Sequence, residues 1–472
     1  MPRIAWILLL TTLGLARIAT AAEKPNAVPP NIIFFLTDDQ RNDTLGCAGH
    51  PIIKTPHIDQ LAAQGTRFVN AFVTTSICAA SRATYLTGLY ERTHEYTFGR
   101  PPIRAQHGAA SYPASLKKAG YQTGFVGKFG VNSVTRPDTL FDRFQRIGRG
   151  PYFKKQKDGS TRHETELCAD WAVEFIRARA NASKQQPFCL SVSFNAAHAE
   201  DGDRRPGSGH FPWPKAVDGM YDDITVPAPR LGDPKYFENA PDVLQKSMNR
   251  DRWFWRWDTP EKYQANMRAY FRMISGIDHA IGRVLAELQA EGLDRNTVII
   301  YAGDNGYYMG DRGFAGKWSH YEQSLRVPLI IYDPRPESGI QRGATPTEMA
   351  LNVDIAATIV DLAGLQQPKH YQGHSLMDLS RGKQPKDWRT DFFCEHLMHN
   401  QSLPKWEGVR GSRYTYARYF EQTPVYEALF DLDNDPDQLE NLVGEPNHAE
   451  TLQAMRRRCD QLRDEYGGPY KP

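Results

Sequence analysis

Asn31-Ile32-Ile33-Phe34-Phe35-Leu36 runs without a break into Thr37-Asp38-Asp39. A continuous rather than alternating apolar run fits a strand buried on both faces, as in a parallel sheet. Three other stretches have the same form. Phe188 to Phe194 leads to Asn195 and His198, Thr297 to Ala302 leads to Gly303-Asp304-Asn305, and Gly124-Phe125-Val126 leads to Gly127-Lys128. Between them, Met267 to Gln289 places Tyr270, Phe271, Ile274, Ile277, Ile281, Val284, Leu285 and Leu288 at helical spacing, and Gly292 follows as a stop. Strands alternating with helices predict an α/β sheet covered on both faces. Ligands of such sheets bind beyond the carboxyl ends of the strands. Asp38, Asp39, Lys128, His198, Asp304 and Asn305 are therefore expected on one rim.

The pattern changes near Gln372. Thr390 to His396, Trp406 to Arg410, Tyr414 to Phe420 and Tyr426 to Leu432 read as strands, with a tight turn at Gly411-Ser412-Arg413, and His448 to Tyr466 reads as a helix. This predicts a smaller C-terminal antiparallel sheet with a terminal helix over 372–472, following an α/β domain over 22–371. Glu200 to Tyr263, rich in Pro, Gly, Asp and Trp, reads as an insertion of the kind that lines binding sites.

At the other end, Arg3, the apolar run Ile4 to Leu15 and the small-x-small site Ala19-Thr20-Ala21 form a secretory signal peptide over 1–21. The run is short for a membrane span, and no later segment is long and apolar enough, so export without stable membrane insertion is expected. The destination is the periplasm or the exterior. Lys plus Arg is 57 and Asp plus Glu is 55; without Arg3 and Arg17 the two balance. That excludes the excess of base expected of a nucleic-acid protein. Of the six cysteines (Cys47, Cys78, Cys168, Cys189, Cys394 and Cys459) none shows zinc-site spacing. An exported protein can pair them, but the sequence gives no pairing.

Asp38-Asp39 and Asp304-Asn305 put three carboxylates and an amide oxygen at one rim, where they repel unless a cation sits between them. An all-oxygen set favours a hard ion, calcium rather than zinc. The alternative is that each pair caps a helix or a turn. Cys78-Ala79-Ala80-Ser81-Arg82 precedes a helical stretch, Ala83 to Leu86, and so puts Cys78 at a helix N-terminus, where backbone N–H groups favour an anion. A lone cysteine is ordinarily a small buried hydrophobe.

With these residues in view, the chain resembles the type I, formylglycine-dependent sulfatases of the alkaline-phosphatase-like superfamily. Cys78 to Arg82 matches the family signature Cys-x-(Pro/Ala)-x-Arg, and Thr87-Gly88 follows as in the family. Thr55 to Asp59, Leu61 to Asn70, Tyr121 to Lys128, Gly303 to Gly306, Gly316-Lys317-Trp318, Tyr321 to Pro328 and Leu429 to Leu442 resemble further family stretches in the family's order. The resemblance covers nearly all of 30–445. It implies a large mixed, mostly parallel sheet sandwiched by helices.

It also implies roles. A dedicated formylglycine-generating enzyme would oxidise Cys78. Asp38, Asp39, Asp304 and Asn305 would hold calcium, with residue 78 and the substrate sulfate completing its shell. Arg82 would hold the formylglycine hydrate, Lys128 and Lys317 the sulfate oxygens, and His198 would lie near the leaving oxygen. One hydroxyl of the hydrate would attack sulfur; His198 or Lys317 would protonate the alcohol; a proton lost from the second hydroxyl would expel sulfate. Serine, with one oxygen, has no such last step.

One position departs from the pattern. The family has histidine two residues after the first lysine, where this chain has Gly130. His163 from a neighbouring loop is a substitute, its plainer reading being a surface histidine; water or Lys128 is another base. In the insertion, Trp253, Trp255, Trp257 and Arg256 fall within Arg252 to Asp258, suited either to sugar rings and sulfates or to packing the insertion on the core. Arg204, Arg205 and His210 are weaker candidates. The expected partner is a sulfated small molecule or oligosaccharide. Two other readings stay open: a phosphodiester or phosphonate hydrolase of the same superfamily, and a calcium-bound, non-catalytic binder of sulfated glycans.

Overall fold

The computed structural model describes residues 28–182, 186–202 and 210–471. The signal peptide expected over 1–21, and Arg204 and Arg205, lie outside the described residues.

Seven strands form the main sheet: β1 (Asn31–Thr37), β2 (Thr66–Arg67), β3 (Gln122–Gly127), β4 (Arg143–Arg146), β5 (Phe188–Ser193), β6 (Thr297–Gly303) and β7 (Leu329–Tyr332). Their spatial order is β2-β7-β6-β1-β5-β3-β4. β7 runs antiparallel to both its neighbours, and all other pairings are parallel. The sheet is mixed and mostly parallel. A mixed sheet was expected; which strand is reversed was not legible, because the four residues after Pro328 carry too short a pattern.

β1 shows why the run is continuous. Ile32, Phe34 and Leu36 enter one apolar cluster, and Ile33 and Phe35 enter the other, all nearly inaccessible to solvent. Each such side chain contributes about 1.5–3 kcal/mol by leaving water. On the first face lie α2 (Cys78–Thr87) and α6 (Asp354–Leu362); on the second lie α1 (Pro56–Gln64), α3 (Glu164–Ala180) and α5 (Pro260–Ala290). α5 begins seven residues before the periodic stretch because Thr259 caps it, accepting from the Lys262 N–H at 3.2 Å, with Pro260 at its first position. α4 (Met248–Arg256) gives the insertion a helix.

β8 (Asp391–His396), β9 (Trp406–Gly411), β10 (Tyr414–Tyr419) and β11 (Tyr426–Asp431) form an antiparallel sheet in chain order, followed by α7 (Ala449–Tyr466). This sheet packs on the first face. Phe72 and Phe392 have ring centroids 5.2 Å apart, Tyr90 stacks on Tyr466 at 3.9 Å, and Arg92 pairs with Glu395 and Glu407, each at 2.7 Å. No helix among the described residues is long and apolar enough to cross a membrane. All six cysteines are free.

Candidate active site

The register brings the strand ends level: Leu36 lies opposite Ser193 and Ala302, and Gly127 opposite Ser193. The turns after them are tied together by backbone. Asp38 N–H donates to Ala196 O at 3.0 Å, Ala197 N–H to Asp38 O at 2.7 Å and Asp304 N–H to Thr37 O at 2.9 Å. Tyr270 donates to Asp39 O and Tyr85 to Gly303 O, each at 2.8 Å. Two helices thus hold the two acidic turns from opposite faces of the sheet.

The six residues expected on the rim meet there, and Lys317 joins them. Lys128 pairs with Asp38, Lys317 with Asp39, and Arg82 Nε with Asp304 Oδ2 at 2.7 Å. Asn305 Nδ2 donates to Asp39 Oδ1 at 2.7 Å. Three carboxylates face three cations, all buried except the partly exposed Lys128. Burial raises the Asp38 carboxyl, but Lys128, His198, Lys317 and Arg82 together hold it well below the usual range. Burial, then the Asp38 charge, pushes Asp304 up to about 7. Burial works against the charge of Lys317, yet Asp39, Cys78, Asp38 and Asp304 together outweigh it and raise the ammonium.

Cys78 opens α2, with Ile77 as its N-cap and Gly88, at φ 68°, closing it. It packs with Ala80, Trp318 and Leu403. Arg82, one turn on, also donates to Lys128 O at 2.8 Å and to Ser193 Oγ. Asn249 Nδ2 donates to Lys317 O and Trp406 Nε1 to Trp318 O, at 2.7 and 2.8 Å, so the insertion and the C-terminal sheet both fix the lysine loop.

These residues fit a metal ion. Asp38 Oδ1, Asp39 Oδ2 and Asn305 Oδ1 are buried without a hydrogen-bond partner. Unpaired buried acceptors are costly, and three of them on two adjoining turns are a hard-cation donor set. Ligand atoms of Asp38, Cys78 and Asp304 lie within 4.8 Å of one another, as do those of Asp38, Asp39 and His198.

His198 Nε2 stands 3.6 Å from Asp39 Oδ2 and 2.6 Å from the Arg149 guanidinium, while its Nδ1 lies 2.7 Å from Ala199 O. Burial pushes its pKa down to about 3. Neutral His198 therefore carries its proton on Nδ1 and accepts from Arg149 at Nε2. Arg149 and, beyond it, Asp201 were not found from the sequence, whereas Arg252 opens the stretch singled out in the insertion. All three come from aperiodic loops or the insertion.

The chain belongs to the sulfatase family. The family model described as Sulfatase matches residues 30–365, and one described as N-sulphoglucosamine sulphohydrolase, C-terminal, matches 310–465. This sulfatase is 26% identical over 521 aligned residues to an N-acetylglucosamine-6-O-sulfatase of Bacteroides thetaiotaomicron, spanning 98% of this chain and 90% of that one. It superposes at a TM-score of 0.79 and 24% identity on a structure in complex with its substrate D-glucosamine-2-N,6-O-disulfate, covering 93% and 98% of the two chains. A phosphonate monoester hydrolase from Silicibacter pomeroyi shares the fold at a TM-score of 0.76, 22% identity and 93% and 96% coverage.

Three sequence expectations are corrected. His163 is neither a surface residue nor a base for the site. It is 1% exposed, caps α3 by accepting from Thr165 N–H at 3.2 Å, and its Nε2 meets Pro212 O at 3.1 Å. Arg256 is fully buried on Asp201 and presents nothing to a ligand, and Trp257 packs between Phe211 and Tyr263 and faces a cavity away from the rim. Trp253 stacks on Arg250 along one side of a cavity of about 430 Å³ that none of the rim residues lines. Trp255 and Arg252 stand half-buried on the same helix. His210 is buried.

Proposed function

We propose that this protein is an exported, calcium-dependent sulfatase that hydrolyses a sulfate ester of a carbohydrate, with residue 78 acting as formylglycine. One observation carries the reading: three buried, unpartnered oxygens, of Asp38, Asp39 and Asn305, sit on two adjoining acidic turns, with ligand atoms of Asp38, Asp304 and Cys78 within 4.8 Å of one another and Lys128 and Lys317 paired to Asp38 and Asp39. The carbohydrate rests on what the relatives' names and ligands are. Export rests on the leader over 1–21.

Asp38, Asp39, Asp304 and Asn305 would hold the calcium ion, which supplies electrophilic stabilisation of sulfate oxygens. Formylglycine supplies a nucleophile able to release the sulfate it captures. The remaining work falls to the chain's own groups. Three carboxylates balance three cations before any ion binds, so a divalent ion gives the site a positive surplus matched to an anionic ester. Lys128 and Lys317 then face sulfate oxygens. Arg82 fixes residue 78 relative to Asp304. His198, neutral with its proton turned to Ala199 O, has none to give at Nε2, which leaves Lys317 to protonate the leaving oxygen.

The test is the mass of the peptide carrying residue 78, from protein made in its own host, beside release assays on N-acetylglucosamine 6-sulfate and a phosphonate monoester. Loss of about 18 Da from the cysteine form, with sulfate release, is expected. Faster phosphonate turnover would put the protein with the hydrolases of that ester. An intact thiol with sugar binding and no release would make it a binding protein.

A further inference from the structure

Three guanidinium groups meet one carboxylate beside the site. Arg256 contacts Asp201 Oδ1 from a fully buried position, Arg252 lies 3.1 Å from Oδ2 and Arg149 lies 3.6 Å away. None of the three has another carboxylate at ion-pair distance among the described residues. The cluster therefore carries two positive charges beyond its one negative charge.

Arg256 takes Asp201 Oδ1 and Arg252 donates to Oδ2 at 3.1 Å, which leaves Arg149, at 3.6 Å, the most loosely held. Arg149's side chain is 41% exposed, and Arg252 Nε is buried without a hydrogen-bond partner. Burial works against the charge on Arg252 and lowers its pKa despite Asp201. Desolvated charge without a full partner is costly to maintain, and an incoming anion removes that cost.

Both arginines adjoin the centre. Arg149 touches His198 at 2.6 Å. Arg252 lies 4.8 Å over the Trp318 ring, which packs in the same cluster as Cys78. Arg252 gives Nη2 to Asp201, which leaves its Nη1 for a charge-assisted hydrogen bond to an oxyanion. The sulfate to be cleaved already has Lys128 and Lys317, so these arginines are surplus to it.

Resting on the sulfatase reading, we propose that Arg149 and Arg252 bind a second anionic substituent, so that the preferred substrate is a sugar carrying another sulfate or a carboxylate beside its scissile sulfate ester.

Calorimetry on the full chain with Cys78→Ala, which binds without turnover, compares N-acetylglucosamine 6-sulfate, glucosamine 2-N,6-O-disulfate and a 2-O-sulfated hexuronate. At least one doubly charged probe should bind about tenfold tighter than the monosulfate, the worth of one charge-assisted pair. Which of the two does so separates sulfate from carboxylate. Arg149→Ala and Arg252→Ala should each erase most of that preference, and Arg252→Lys should keep part of it. Equal affinity for all three probes overturns the proposal, and this comparison needs no arginine variant. So does an equal loss for every probe in the alanine variants. Sulfate release by the wild-type chain from the same probes, measured alongside, decides the sulfatase reading separately: no release from any of them removes that reading whatever the affinities are.

Discussion

Gly130 abuts Arg82: a Cβ built on the glycine would stand 2.9 Å from the arginine's Cδ and 3.5 Å from Lys128 Cε. Its φ of 68° is a left-handed conformation that side chains resist. The position where the family carries histidine is thus occupied here by the aliphatic stem of Arg82. Restoring the histidine should not restore a base. Gly130→His and Gly130→Ala should both displace Arg82, lowering kcat by about tenfold or more and stability by roughly 1–2 kcal/mol, the cost of such backbone strain. Steady-state kinetics and thermal melts check this; a Gly130→His enzyme faster than wild type would refute it.

Calcium should stabilise the folded chain. Protein stripped with a chelator should gain in Tm as calcium is added, saturating, with about 2.7 kcal/mol at a hundred times Kd. Asn305→Ala removes an unpaired acceptor without removing a counter-charge from Lys128 or Lys317. It should move the calcium midpoint up by about tenfold, the worth of one ligand contact. A Tm indifferent to calcium in both proteins would count against the ion.

His163→Ala should cost stability and not turnover. The lost cap is worth about 1–2 kcal/mol; burial holds the ring's pKa down to about 4 from an ordinary 6.5, so the wild-type chain gains stability as pH rises through 6.5 and the loss on substitution should be smaller at pH 6 than at pH 8, by roughly 1 kcal/mol. Urea unfolding and kcat at both pH values test this. A fall in kcat with unchanged stability would return His163 to the site.

Asp278 introduces a pH dependence far from the chemistry. Its carboxylate accepts the Ile58 N–H at 2.8 Å, where α1 begins, and burial pushes it up to about 6 from an ordinary 3.8. The folded chain therefore holds a proton that the unfolded chain has lost, so stability falls as pH rises from 3.8 towards 6 and stays lower above that. Asp278→Asn should gain up to about 3 kcal/mol at pH 7 and little at pH 4. An equal difference at both pH values would show that the gain is not one of ionisation.

What the sequence made legible follows from periodicity. β1, β5 and β6 are buried on both faces, so their apolar runs are unbroken and their ends are marked by the first acid or amide: Asp38, Asn195, Asp304. The C-terminal strands stand out between clear turns. Arg149 and Asp201 left no such trace, and Arg252 showed only as the edge of the tryptophan-rich stretch. Their association depends on where a loop after β4, a loop after β5 and a helix of the insertion come to rest, and no spacing along the chain encodes that. The tryptophans misled for a related reason: composition shows that aromatic faces are available, and only packing shows that Trp257 spends its faces on Phe211 and Tyr263.

The packing of Phe72 and Tyr90 against Phe392 and Tyr466 bears on how such enzymes are recombined. A chimera that took residues 391–466 from a relative would put a foreign face against Phe72 and Tyr90, and would strand Arg92 unless the relative's segment also carried acids at positions 395 and 407. Exchanging the small sheet to alter specificity therefore means co-transferring its contacts on both sides of the seam.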